Sequence, residues 1–433
     1  MKPLLSLLLA GGVAGQVATG QTIDTVYSAT YLRKSTSFAW LHYGGDLLRL
    51  PGGQTSFAAG TASFTGKVVP RLTVGGMHFW GHADFYVTFP LSFVSRSKPS
   101  AVFADGTYQE GVETGIRLYP WALAPNRLTP YVGVCFKRQA YGQQEKGAPY
   151  GEGYPELDRF IKPLQAGITY STDRFHLTAG VYYQANRNAR YYYSPNASGP
   201  LTFRPLTINA GVVRYIDTDR SMAQPNGVQQ QNLKEYILRR HKKQSSWYAG
   251  IGPSVALQLR KSSFFRVNYP YLYDDMIGGV MPDLTFGYYA AKPDLTVGLS
   301  YRTMGTHLTA YGTDIRLRRH SVMLEGYKFL FNYLGFVPYI GPTFSMEYLS
   351  ATVVGKGERR QYTQTQPAIG LIAGWDIRVT RTGSSLFRTN LRYIPGLQLK
   401  IGQESIRFDH LEFNFIQYVR FLGRNRLYRQ YQR

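Results

Sequence analysis

Along much of this chain apolar and mixed positions alternate with a period of two. From 164 to 170, Leu164, Ala166, Ile168 and Tyr170 fall on one face and Gln165, Gly167 and Thr169 on the other. From 128 to 136, Leu128, Pro130, Val132, Val134 and Phe136 oppose Thr129, Tyr131, Gly133 and Cys135; from 83 to 91, Ala83, Phe85, Val87, Phe89 and Leu91 oppose Asp84, Tyr86, Thr88 and Pro90. This pattern predicts strands with one apolar face. Eight are expected in the first half, near 37–50, 67–79, 82–94, 112–122, 128–141, 160–171, 174–186 and 202–216. Eight more are expected near 247–260, 282–290, 294–304, 319–331, 335–350, 366–379, 386–397 and 410–422.

The connections then separate a soluble sandwich from a membrane barrel. Trp80-Gly81, Leu123 to Arg127, Thr172-Asp173, Ala291-Lys292-Pro293 and Asn332-Tyr333-Leu334 are tight turns. The alternate connections, starting near 51, 95, 142, 187, 261, 305, 351 and 398, read as long loops. Short turns at one end and long loops at the other are the mark of transmembrane barrels, and strands of about 9–11 residues suffice to cross a bilayer. The two halves are also copies. Pro130-Tyr131-Val132-Gly133 returns as Pro338-Tyr339-Ile340-Gly341, Tyr31 to Lys34 as Tyr236 to Arg239, and Leu206 to Asn209 as Leu411 to Asn414, all about 205 to 208 residues on. A period that long is a duplicated module.

Residues 1–20 read as a secretory signal, with Lys2, an apolar Leu4–Val13 stretch and a small-residue Ala18-Thr19-Gly20 site. No later stretch offers an apolar helix long enough to span a membrane. A single cysteine, Cys135, excludes an internal disulfide framework. The 35 Tyr, 24 Phe and 45 Gly favour strands, turns and interfacial aromatics. Net charge is +23, with 49 Lys and Arg against 26 Asp and Glu. The basic residues are spread without a stripe and the chain carries an export signal, so nucleic acid is not an expected partner; anionic lipopolysaccharide or small anionic solutes are.

On these grounds the chain resembles the outer-membrane β-barrel proteins of Gram-negative bacteria, in a duplicated eight-stranded form. The resemblance implies an outer-membrane location with loops outside and termini in the periplasm, and barrel-assembly machinery as a partner in biogenesis. The last strand, with Phe413, Phe415, Val419 and Phe421 read as one face, resembles the assembly signal, although Gly423 to Arg433 follow it. The expected organisation is a signal peptide (1–20), repeat 1 (21–217), a linker with a short basic helix near 232–241 (218–246), repeat 2 (247–422) and a basic tail (423–433).

The fold class expected is all-β, with about sixteen antiparallel strands in one barrel; two tandem eight-stranded barrels are the close alternative. The long linker and the glycines on inward faces (Gly133, Gly167, Gly180, Gly211, Gly287, Gly298, Gly370) suit narrow barrels, whose interiors are filled by side chains. One wide barrel would be a passive, non-enzymatic channel with anion preference through a lumen or rim lined by Arg117, Lys137, Arg302, Arg378, Arg388 and Arg392. In two narrow barrels the same cations would pair with Asp84, Glu113 and Asp376, leaving a structural or surface-binding protein that works through its loops. Candidate loop contacts are Tyr150, Tyr154, Tyr191, Tyr192, Tyr193 and Tyr271. No metal or cofactor site is expected: His78, His82 and Asp84 form only a loose constellation, and local catalytic signatures are absent. A lipid-modifying enzyme using His307 and Asp314 is the distant third reading.

Overall fold

The computed structural model describes residues 40–57, 60–91, 95–97, 103–145, 153–172, 174–216, 245–258, 261–273, 281–331, 336–355, 358–377 and 384–423. The predicted signal, the linker helix, Tyr31, Tyr150, Arg378 and the tail beyond Gly423 lie outside these residues.

The chain folds as two barrels. In the first, β1 (Trp40–Arg49), β2 (Val68–His78), β3 (Ala83–Pro90), β4 (Phe103–Leu118), β5 (Arg127–Glu145), β6 (Leu164–Ser171), β7 (Phe175–Tyr183) and β8 (Leu206–Ile216) form an antiparallel meander. It closes when β1 pairs with β8, from Leu41↔Ile216 to Leu48↔Asn209. The second runs through β9 (Ser246–Gln258), β10 (Met281–Ala290), β11 (Leu295–Ala310), β12 (Thr313–Phe329), β13 (Phe336–Gly355), β14 (Glu358–Ile377), β15 (Ser385–Tyr393) and β16 (His410–Phe421). It closes through β9 and β16.

The all-β duplicated barrel is therefore as the alternation predicted, but the sixteen strands do not share one wall. The edges that a wider barrel would need for joining β8 to β9 are already consumed, each copy's last strand satisfying its own first. The repeated segments occupy equivalent places. Pro130 and Pro338 open the fifth strand of each barrel, and Leu206 and Leu411 stand in the eighth.

The walls face lipid. Outward side chains such as Leu47, Leu128, Val132, Leu164, Leu206, Phe286, Leu299, Leu324, Phe344, Ile369 and Leu371 are exposed. Trp121 and Trp247 stand among the exposed aromatics at the tight-turn end. In water an apolar belt of this extent would aggregate; in a bilayer it is the matched surface. The tight turns are short for a local reason. Gly81 takes φ +91 in the four-residue connection 79–82, and Asn126 takes φ 58 at the end of the connection 119–126, both in the left-handed region that lets the chain reverse.

Several of the expected long loops are instead β-structure. β11 and β12 run on to a two-residue turn at Tyr311-Gly312, and β13 and β14 each have 20 residues. At about 3.3 Å per residue and a tilt near 40° such a strand rises roughly 50 Å, twice the apolar belt. Above the belt the alternation reverses, the outward positions Arg316 and Arg318 being polar and exposed while Ile315, Leu317, Leu349, Ala351 and Val353 are buried on the inward face.

The barrels pack against each other. Val87 and Val255 point outward yet are almost fully buried, in one apolar cluster flanked by Val74, Phe89, Val112 and Phe413. The Phe85 and Trp375 rings lie 5.8 Å apart across the seam. The last strand departs from its expected single face. The register shifts between Arg388 and Asn390 opposite β16, and between Ile251 and Ser254 on its other side. This bulge turns Val419 and Phe421 inward while Phe413 packs in the seam between the barrels.

Candidate functional site: two filled lumens and a cleft between the barrels

Each lumen is filled in layers. In the first, Trp40, Met77, Tyr119, Leu123 and Tyr131 close the tight-turn end. Tyr131 fits there because its ring end occupies the space where Gly167 and Gly180 lack side chains. Above them lie ion pairs. Arg71 binds Asp46 and reaches Glu113 at 2.7 Å, and the Tyr182 hydroxyl donates to Glu113 at 3.0 Å. Of the expected lumen cations, Arg117 meets Asp84 at 3.2 Å and lies 4.2 Å from the Tyr86 ring centroid; Lys137 donates to Glu110 at 2.6 Å.

The second lumen repeats the scheme. Tyr248, Tyr289, Tyr327, Phe329, Tyr339 and Phe421 close the tight-turn end. Arg388 binds Asp376 at 2.7 Å over three tyrosine rings. Arg392 bridges Asp283 and Glu325, Arg302 pairs with Glu412, and Arg319 with Glu347 and Glu412. Sequence reasoning placed Arg117, Lys137, Arg302, Arg388 and Arg392 inside but missed Arg71, Arg319 and most of their acids. The available signal was the inward parity of Asp46, Arg71, Asp283 and Glu325 within their strands.

The far end of each barrel carries a cap. Over the first, hairpins Gly53–Phe57/Gly60–Phe64 and Asn188–Tyr192/Ser198–Phe203 join into one four-stranded sheet. It buries Phe64, Leu201 and Phe203 against Tyr108 and Tyr141. Over the second, helix α1 (Ser263–Asn268) and hairpin Gln398–Ile401/Glu404–Arg407 bury Phe264, Phe265, Leu399, Ile406 and Phe408.

Tyrosines lock the caps together. The Tyr273 hydroxyl accepts from Tyr192 N at 3.0 Å and donates to Arg190 O at 2.9 Å. Tyr311 donates to Tyr192 O at 3.1 Å. Of the candidate loop contacts, Tyr191 is wholly buried, its hydroxyl bonded to Gln143 and Pro155 carbonyls. Burial pushes the Tyr191 phenol well above its ordinary pKa. Tyr192 and Tyr193 pack against the cap core, and Tyr271 hydrogen-bonds Thr313 at 2.9 Å. Tyr154 lines a cleft of about 570 Å³ between the far ends of the two barrels, with Gln109, Arg138 and Asp158 on one side and Thr306, His307 and Leu308 on the other.

The other constellations resolve differently. Asp84 is taken by His42 at 2.6 Å and by Arg117, while His82 bonds the Tyr119 carbonyl and His78 packs against Phe85. Among the described residues no three metal-binding side chains converge. His307 and Asp314 do meet, at 2.8 Å, beside Arg316. Slight burial would raise the Asp314 pKa, but hydrogen bonds from His307 and Arg316 outweigh it and hold the carboxyl below its ordinary value. Among the described residues neither member of the pair hydrogen-bonds a serine or threonine hydroxyl.

No family model matches the sequence, and no curated protein matches it. Among solved structures, Neisserial surface protein A is similar at 19% identity, covering 41% of this chain and 96% of that one, with a TM-score of 0.27. The N-terminal β-barrel domain of Pseudomonas aeruginosa OprF is similar at 12% identity over 42% of this chain and 98% of that one, TM-score 0.23. The Pseudomonas putida toluene transporter TodX is similar at 9% identity over 92% of each chain, TM-score 0.20.

Proposed function

We propose that this protein is an outer-membrane double barrel whose lumens do not conduct and whose capped ends, held outside the cell, form the working surface. The observation that carries this reading is the occupancy of both lumens. Each has aromatic packing at one end, paired charges in the middle and an apolar cap at the other. Buried guanidinium–carboxylate pairs with short, multiple hydrogen bonds do not part readily for a passing ion, because a separated charge would stand desolvated. The cleft between the far ends of the barrels is where a surface ligand would bind.

A passive channel is the second reading. It is favoured by one feature: the middle of the second lumen holds Asn390 and Gln417 with both side-chain polar atoms unpartnered, and Thr285 beside them. Water-filled polar space there would be the start of a path. The refolded full chain in a planar bilayer decides between them. Complete insertion without discrete current steps is expected. Discrete steps would overturn the sealed reading, and an anion-shifted reversal potential in a salt gradient would then support anion preference.

A further inference from the structure

Above the apolar belt, the outer wall of the second barrel changes character over three strands. Cross-strand partners define the rows. Leu324↔Phe344↔Ile369 and Val322↔Met346↔Pro367 are apolar; His320↔Tyr348↔Thr365 follows. Next come Arg318↔Ser350↔Thr363, Arg316↔Thr352↔Gln361 and Asp314↔Val354↔Arg359. The His320 ring accepts or donates at 3.0 Å to the Tyr301 hydroxyl and lies 6.0 Å from the Tyr348 ring, giving an aromatic band where lipid tails end. Arg316, Arg318 and Arg359 above it are exposed, and a surface hollow of about 380 Å³ lies among them. The acids nearby are engaged: Asp314 by His307 and Arg316, Glu358 by Arg360. Among the described residues Arg318 and Arg359 have no carboxylate partner.

We infer that this wall is a docking surface for a glycolipid that carries more than one phosphate. Its acyl chains lie on Leu324, Phe344 and Ile369, and its phosphates meet Arg316, Arg318 and Arg359. The spacing selects the class. Successive rows are about 7 Å apart along the strand, so the three guanidiniums climb roughly 15 Å of wall. A simple phospholipid presents one phosphate at one height, whereas a headgroup of phosphorylated sugars presents several. Guanidinium is the side chain suited to bidentate phosphate recognition, and the small hydroxyl residues between the arginines leave room for sugar. The inference rests on the membrane-embedded reading and is independent of whether either lumen conducts.

The test uses the full chain in phosphatidylcholine nanodiscs, with bis-phosphorylated lipid A as probe and binding read by native mass spectrometry. The triple variant Arg316→Ser, Arg318→Ser, Arg359→Ser changes only exposed outward positions, and heat-modifiable gel mobility checks that it folds. Wild type should bind the bis-phosphorylated lipid at least tenfold more tightly than its monophosphoryl form, and the variant should lose that preference. Lys328→Ser, an outward exposed position at the opposite end of β12, should bind as wild type does. Equal binding by wild type and triple variant would overturn the inference, as would an equal loss in Lys328→Ser. Displacement of the probe by millimolar inorganic phosphate would also overturn it, marking a free-anion site.

Discussion

Arg71 offers the sharpest test of the sealed lumen. It is almost fully buried, holds Asp46 through two nitrogens and Glu113 through a third, and lies across from Tyr182. At an effective dielectric near 20, unit charges about 4 Å apart attract by roughly 4 kcal/mol, and Arg71 serves two. The substitution Arg71→Met keeps most of the volume, takes from Asp46 its bidentate partner and leaves Glu113 with the Tyr86 and Tyr182 hydroxyls. Removing one partner of a buried pair costs about 3–5 kcal/mol, and the value here should fall at the upper end. With a urea m-value of about 1–3 kcal/mol/M, the unfolding midpoint should fall by more than about 1 M. Unfolding is followed by tryptophan fluorescence in detergent micelles. Adding Asp46→Asn and Glu113→Gln to Arg71→Met should recover most of the loss, because the uncompensated charges are gone. A drop below about 1 kcal/mol for Arg71→Met would refute the reasoning, since it would mean that water already reaches these groups.

Three further outcomes follow from the packing. Gly180→Ala places a methyl group against the Tyr131 hydroxyl and should destabilise the first barrel by about 1–3 kcal/mol in the same urea assay; adding Tyr131→Phe should relieve part of it. Phe203→Ala, at the centre of the first cap among Phe64, Tyr108 and Tyr141, should cost about 3–5 kcal/mol and raise binding of a hydrophobic dye. Tyr273→Phe removes two of the three cap-to-cap hydrogen bonds, leaving that of Tyr311, and should cost about 1–3 kcal/mol; spin-label distances between the caps should broaden, and an unchanged distribution would show that other contacts hold them.

The strand positions were legible because lipid is a strict solvent. Each outward residue must be apolar and each inward one cannot all be, so Leu164, Ile168 and Tyr170 against Gln165 and Thr169 reveal both strand and face. Barrel number was not legible. Whether Leu41 pairs with Ile216 is a long-range choice, and the alternation of β1 and β8 reads the same in a wall of eight or sixteen. The bulge that splits Phe413 from Val419 was hidden for a related reason. One inserted residue leaves the composition of β16 unchanged and reverses the parity of everything after it. The caps were invisible as well. Their hairpins bury apolar and aromatic side chains such as Phe64, Leu201, Phe203, Leu399 and Ile406 against the barrel interior, in segments too short to show a period. Among the site residues, the inward cations could be found by parity, and pairs on neighbouring strands such as Arg71 with Asp46 or Arg388 with Asp376 were open to the same reading, whereas Arg319 with Glu412 and Arg392 with Asp283 join strands that are not consecutive.

The net charge acquires its meaning only once the interior is separated from the surface. Among the described residues, eight Lys and Arg are buried (Arg71, Arg117, Lys137, Arg159, Arg302, Arg319, Arg388, Arg392) against ten Asp and Glu. Among the described residues the buried charges therefore carry no positive excess, which a selectivity role would require. Desolvation explains the balance: an unpaired guanidinium inside a filled barrel is too costly to keep, so seven of the eight meet carboxylates, while Arg159 donates to the Gln139 amide oxygen and the Asn188 carbonyl. A positive excess is tolerated where water and counter-ions, or the phosphates of a lipid layer, screen it. Basic residues on this chain thus stand in two unrelated settings. Inside they fix the packing of narrow barrels; outside, Arg316, Arg318 and Arg359 are exposed to whatever meets the wall, which under the proposal above is a phosphorylated glycolipid.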